Sequence, residues 1–231
     1  MSEPLMLIPG LQCTARLFAP QLPALWLRGP VTIADHTRDD SMAAIAGRIL
    51  ATAPPRFALA GLSMGGYISF EILRQAPERV ARLALLDTSA RPDTAAQTER
   101  RRAQMELARA GRLDEVVEQQ WPLLVHPDHL DDEALRATVE VMAEETGVEA
   151  FVREQTAIIG RPDSRGDLGA IRCPTLVLVG DRDALTPPEF AHEMAAGIEG
   201  ARLVTVADAG HVTTHERPEQ VTGALLQWLR D

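Results

Sequence analysis

The chain is poor in cysteine, poor in aromatic residues and has no excess of positive charge. Only Cys13 and Cys173 are present, far apart and outside any metal-ligand spacing, which excludes a disulfide framework and a thiolate metal cluster. They read as two free thiols. Aromatic residues make up 4% of the chain. Basic residues number 23 against 33 acidic ones, for a net charge of −10. Such a surface repels phosphate backbones, so nucleic acid is not the expected partner, and a small molecule is. No apolar run reaches the length of a membrane span, so no membrane partner is expected. Around the acidic Glu3 there is neither a basic n-region nor a small-residue cleavage site, so no secretory signal is read and a cytoplasmic location is expected. Nothing in the sequence speaks to oligomeric state.

What is there is an ordinary globular composition. Of 231 residues, 45% are hydrophobic and 24% charged, enough to bury a core without metal or disulfide. Short apolar runs at 5–8, 31–34, 57–61 and 83–86 alternate with helical patterns at 41–52 and 65–75. Ser41 is placed to cap the first of these helices. From about residue 90 to residue 169 no strand pattern is present. Helical periodicity covers 94–110, 113–120, 132–144 and 148–159. Strands return at 175–179 and 203–206, with helices at 188–196 and 218–229. Uninterrupted apolar strands alternating with helices predict an α/β fold with a mostly parallel open sheet covered on both faces. Residues 1–89 and 170–231 would form the core, interrupted by a helical insertion at 90–169. The run Arg100-Arg101-Arg102 sits in that insertion beside acidic residues and reads as a solvated helix face rather than an anion site.

The chemistry concentrates at strand ends. Gly61-Leu62-Ser63-Met64-Gly65-Gly66 joins a strand to a helix, which holds the serine at a strained, exposed corner. A serine hydroxyl needs a base within hydrogen-bond reach. Of the six histidines, His211 follows the last strand and is the preferred base. His36 lacks a paired acid loop, and His126, His129 and His192 fit packing or surface roles. His215 lies four residues after His211, but no third ligand completes a metal site; no metal and no cofactor are expected. Asp183, after the strand at 175–179, is the preferred orienting acid. Asp181 is read as a turn residue, Asp87 is the runner-up, and Asp208 lies too near His211. Backbone N–H groups of Leu11, after the first strand, and Met64, after the serine, would form the oxyanion hole.

These pieces resemble the α/β-hydrolase fold family over nearly the whole chain. The resemblance rests on Pro9-Gly10-Leu11, Gly61-Leu62-Ser63-Met64-Gly65-Gly66, the segment from Pro174 through Gly180-Asp181-Arg182-Asp183, and Gly210-His211 with Glu216-Arg217-Pro218-Glu219 following. The order Ser…Asp…His is the one that fold requires. The chain looks most like the branch of small esterases, enol-lactonases and cofactor-free haloperoxidase-like proteins. The resemblance implies six parallel strands and a cap formed by the insertion. Relatives commonly carry His-Gly where this chain has Pro9-Gly10, and an N-terminal antiparallel hairpin for which this chain has no room. The implied activity is that of a serine hydrolase. It would cleave a carboxylester, lactone or thioester of a small molecule through an acyl-enzyme on Ser63. The same triad also serves acyl transfer, lyase chemistry and C–C hydrolysis, and the fold also serves as a non-catalytic binding protein. Gln12, Trp121 and Leu124 are the candidate pocket residues, within a lining expected to be aliphatic and suited to small or medium acyl groups.

Overall fold

In the computed structural model, which describes residues 3–230, six parallel strands form one open sheet in the order β2-β1-β3-β4-β5-β6. The strands are β1 (Leu5–Ile8), β2 (Val31–Ile33), β3 (Phe57–Leu62), β4 (Val80–Leu86), β5 (Thr175–Gly180) and β6 (Arg202–Val206). β3 and β5 are buried at every position, which explains their unbroken apolar sequences. Alternate side chains serve opposite cores. Leu5 and Leu7 enter one apolar cluster with Ala58, Ala60 and Leu62, whereas Met6 and Ile8 enter the other with Phe57 and Leu59.

Helices α1 (Leu22–Trp26) and α9 (Pro218–Trp228) cover the first face, contributing Leu25, Val221, Leu225 and Trp228. Helices α2 (Met42–Thr52), α3 (Met64–Gln75) and α7 (Pro188–Gly197) cover the second, through Ile45, Ile68, Ile72 and Met194 among others. Ser41 caps α2 by accepting a hydrogen bond from the Ala44 N–H. The insertion between β4 and β5 comprises α4 (Ala95–Arg109), α5 (Leu113–Leu124) and α6 (Glu133–Ile159). A short α8 (Thr213–Glu216) precedes α9. Among the described residues no helix is long and apolar enough to cross a membrane.

Element boundaries differ from the sequence expectation in a few places. β4 starts at Val80 rather than 83, and α5 runs through Pro122 to Leu124 instead of stopping at 120. The two helices expected at 132–144 and 148–159 form one continuous element interrupted at Gly147, whose φ of +74° kinks it. That left-handed residue is the physical counterpart of the break in periodicity. α1 has no clear period over its five residues and was not expected.

Two glycines set how closely the elements around Ser63 approach. A Cβ on Gly65 would lie 2.1 Å from the Ile8 carbonyl oxygen, and one on Gly61 would lie 2.2 Å from that of Gly65. Both obstacles are backbone, so neither can rotate away. Gly65→Ala is therefore expected to cost at least about 3 kcal/mol of stability. Gly166→Ala, whose Cβ would meet nothing within 4 Å, should stay within about 0.5 kcal/mol of wild type. Guanidinium-chloride unfolding of both variants checks this; equal stabilities would contradict it.

Candidate active site

Ser63 sits on the turn from β3 to α3 with φ +54° and ψ −114°, a conformation that a non-glycine residue adopts only under constraint. The constraints are visible. The Ser63 N–H donates to the Leu86 carbonyl at 2.9 Å, and the Thr88 hydroxyl donates to the Ser63 carbonyl at 2.7 Å. The first turn of α3 closes on the same carbonyl through the Gly66 N–H at 2.9 Å. The backbone is thus tied to the neighbouring strand while the side chain is left facing outward.

His211 brings its Nε2 to 2.8 Å from Ser63 Oγ, and its Nδ1 to 2.8 Å from Asp183 Oδ2. An ionised carboxylate only accepts, so it selects the Nδ1–H tautomer and turns the Nε2 lone pair toward the serine hydroxyl. Asp183 is held in turn by the N–H groups of Leu185 and Thr186, both at 2.9 Å, and by the Thr186 hydroxyl at 2.7 Å. His211 and Asp183 are both buried, which fixes their orientation.

The loop carrying His211 is anchored to the insertion. The N–H groups of His211 and Val212 both donate to the Leu124 carbonyl, at the end of α5. Below it, the buried Glu216 carboxylate accepts from the Gly210 N–H at 2.7 Å, the His126 N–H at 2.6 Å and His129 Nδ1 at 2.8 Å. Glu216 therefore joins the His211 loop to the segment after α5. Sequence reading gave it no role; the only signal was its place in the Glu-Arg-Pro run after the histidine.

The other aspartates separate cleanly. Asp181 accepts from the Ala209 N–H at 3.2 Å and ties the two strand-end loops together. Asp87 is fully buried, accepting from the Gly180 N–H at 3.0 Å and from the Thr213 hydroxyl. Burial, followed by the nearby Asp183 charge, raises its pKa well above the ordinary carboxylate range. Asp87 thus braces the loop ends from within the core.

Leu11 and Met64 stand at the loop after β1 and the start of α3. Among the described residues neither N–H is taken by a protein acceptor. Gly10 lets the two segments close up, since a Cβ there would lie 3.3 Å from Ser63 Cβ.

A cavity of about 170 Å³ opens at Ser63 and His211. Leu124 lines it, but Gln12 and Trp121 do not. Trp121 is packed in the core and donates its indole N–H to the Leu130 carbonyl at 3.0 Å. Gln12 is buried with φ +56°, and its backbone N–H donates to the Glu154 carboxylate at 3.0 Å. The lining also departs from the aliphatic expectation, because Arg91, Arg100, Arg101, Arg161 and Gln104 contribute to it. The arginine run is therefore not merely a solvated face. Arg100 and Arg101 line the cavity and Arg102 does not, although Arg100, like Arg102, is exposed.

Cys13 also borders the cavity. Burial and the neighbouring Glu154 charge push its thiol up to about 12, so it stays protonated and does not compete as a nucleophile. Glu154, fully buried on α6, pairs with buried His36 at 3.0 Å. Burial alone would lower the His36 pKa, but Glu154 together with backbone bonds to Gly10 and Ala34 outweighs it and the net shift is upward. A raised histidine pKa contributes stability that is complete below the unfolded value near 6.5 and fades as pH rises through the folded one. Glu154→Gln is thus expected to destabilise by about 3 kcal/mol at pH 5.5 and by clearly less at pH 8.5. Urea unfolding at the two pH values measures this, and a pH-independent loss would contradict the pairing.

Comparison with known proteins agrees with this architecture. The model of the alpha/beta hydrolase family matches residues 5–224, and the chain belongs to that family. A thermophilic esterase from Thermogutta terrifontis superposes with a TM-score of 0.89 at 30% identity, covering 100% of this chain and 90% of that one. The enol-lactonase of Burkholderia xenovorans LB400 superposes with a TM-score of 0.91 at 24% identity, covering 100% and 92%. In sequence, the pimeloyl-[acyl-carrier protein] methyl ester esterase of Neisseria meningitidis is 28% identical over 208 residues, 83% of this chain and 78% of that one. The family and these named relatives make the chain a hydrolase.

Proposed function

We propose that the protein is a serine hydrolase that cleaves an ester-type bond of a small molecule through an acyl-enzyme on Ser63. The observation that carries this reading is the continuous relay Ser63–His211–Asp183, with both links at 2.8 Å. The esterase names of two relatives support the choice of bond. In this reading residues 1–89 and 170–231 are the catalytic body, and residues 90–169 cap the site.

His211 removes the hydroxyl proton as Ser63 Oγ bonds to the carbonyl carbon, and the oxygen takes the negative charge. The Leu11 and Met64 N–H groups hold that oxyanion, each worth about 3 kcal/mol in the transition state. As the carbonyl re-forms, the bond to the leaving alcohol breaks and the alcohol departs with the proton from His211. Water then repeats the sequence, with His211 as base, and releases the acid and the free serine. Asp183 stays ionised, orients the imidazole and stabilises the imidazolium. In this reading Asp87 takes no part, its carboxyl oxygens being used by the Gly180 N–H and the Thr213 hydroxyl.

Acid quenching during turnover of p-nitrophenyl acetate, followed by peptide mass spectrometry, tests the intermediate. The acetyl group is expected on the peptide containing Ser63. Turnover accompanied by acetylation of a different residue would reject the assignment.

A further inference from the structure

On a chain of net charge −10, the cavity beside Ser63 is lined by four arginines, Arg91, Arg100, Arg101 and Arg161, and by no aspartate or glutamate. The sequence contains no lysine, so each of these fixed charges is a planar, five-donor guanidinium. Arg91 is neutralised, because Glu193 grips it with two bonds of 2.8 and 3.0 Å. Arg101 and Arg161 are different. Both pair with one carboxylate, Asp93, at 2.8 and 2.6 Å. The side chains of Arg101, Arg161 and Asp93 are only 15%, 6% and 2% exposed. Two guanidinium groups sharing one carboxylate leave a unit of positive charge at the cavity wall.

Their geometry is fixed. Arg161 donates Nε to the Arg91 carbonyl and Nη1 to the Ile158 carbonyl, both at 3.0 Å. It stacks over the Tyr67 ring at 4.3 Å from the centroid, one helical turn after Ser63. Arg101 donates Nε to Asp93 and Nη1 to Gln155, both at 2.8 Å. The Asp93 pairing uses Arg101 Nε and Arg161 Nη1, and in each residue Nη2 has no acceptor among the described residues. Bracing α4 against the end of α6 would need one ion pair. A second cation on the same carboxylate is costly when held away from water unless an anion completes it.

Resting on the serine-hydrolase reading, we infer that the substrate is an ester carrying a free carboxylate, which Arg101 and Arg161 hold while Ser63 attacks the ester carbonyl. The single charge left on the Arg101–Asp93–Arg161 cluster matches one carboxylate; Arg100 also lines the cavity but is exposed and outside that cluster. A 150 Å³ cavity accommodates about a benzene-sized molecule, so 170 Å³ suits the monoester of a short dicarboxylic acid. Charge-assisted hydrogen bonds to the carboxylate would position the carbonyl, and a neutral analogue would leave the guanidinium groups uncompensated.

The test compares monomethyl glutarate with its amide isostere, methyl glutaramate, by product chromatography. The ratio of kcat/KM values, acid over amide, is expected to be about ten to a hundred for the wild type. It should fall at least about tenfold in Arg101→Gln and in Arg161→Gln. Arg102→Gln, an exposed neighbour outside the cavity, should keep the wild-type ratio. A wild-type ratio of one or less, or one that survives Arg101→Gln in folded protein, overturns the inference while leaving the hydrolase reading intact. If neither ester is cleaved, the hydrolase reading fails separately. Calorimetric titration of Ser63→Ala with glutarate, glutaramide and inorganic phosphate then decides. Glutarate binding that Arg101→Gln weakens supports the carboxylate site. Equal binding of glutaramide, or tighter binding of phosphate, rejects it.

Discussion

Ser63→Ala is expected to lower kcat for any ester the wild type cleaves by about 10⁶-fold. The residual rate reflects the oxyanion donors and substrate positioning alone. No neighbouring group replaces the serine, because the Cys13 thiol is held protonated by burial and by the Glu154 charge. The fold should survive, since the side chain takes no part in the bonds that hold this turn, which run through the Ser63 N–H and carbonyl. Active-site-titrated kinetics, with circular dichroism to verify folding, measure the loss. Retained turnover would place the chemistry elsewhere.

The second large effect separates the two buried aspartates. Asp183→Asn should reduce kcat by about 10⁴-fold, because an amide NH₂ would face His211 Nδ1 and favour the tautomer that puts a proton on Nε2. Asp87→Asn should retain activity within about threefold, since it keeps the acceptor for the Gly180 N–H and removes a carboxyl whose pKa burial raises. Its effect appears in stability instead. A carboxyl whose folded pKa lies above its unfolded one costs stability as pH rises from the unfolded value toward the folded value. Relative to wild type, Asp87→Asn should therefore gain stability as pH rises above about 4, the unfolded carboxyl value. Parallel kinetics and pH-dependent unfolding of the two variants give the comparison. A larger catalytic loss for Asp87→Asn would exchange the roles assigned here.

Much of this was legible in the sequence because both kinds of signal were strong. Strands buried on both faces, such as Phe57–Leu62 and Thr175–Gly180, are continuous apolar runs ending in small or acidic residues. Ser63 and Asp183 each follow such a strand and His211 follows the half-buried edge strand β6, so a parallel sheet delivers all three to one edge. What stayed hidden depends on contacts between distant segments. The preference for Asp183 over Asp181 and Asp87 agrees with the structure, but the reason, Asp87 being occupied by Gly180 and Thr213 and Asp181 by Ala209, lies in such contacts. Gln12 was misplaced because its positive φ and its bond to Glu154, 142 residues away, have no local signature. Trp121 packs inward for a similar reason, its N–H being used by Leu130. The arginine run was read as a solvated face because local acidic neighbours suggested local pairing. Arg100 and Arg102 are exposed as that reading expects, but Arg101 pairs with Asp93 and Gln155, which lie before the helix and on α6.

The account turns on an activated serine at position 63. Labelling the folded protein with a fluorophosphonate probe, followed by peptide mass spectrometry, addresses that claim directly. The expected result is one adduct, on Ser63, abolished by Ser63→Ala and strongly weakened by His211→Ala. An unlabelled, well-folded wild type, or labelling that His211→Ala leaves unchanged, would contradict it.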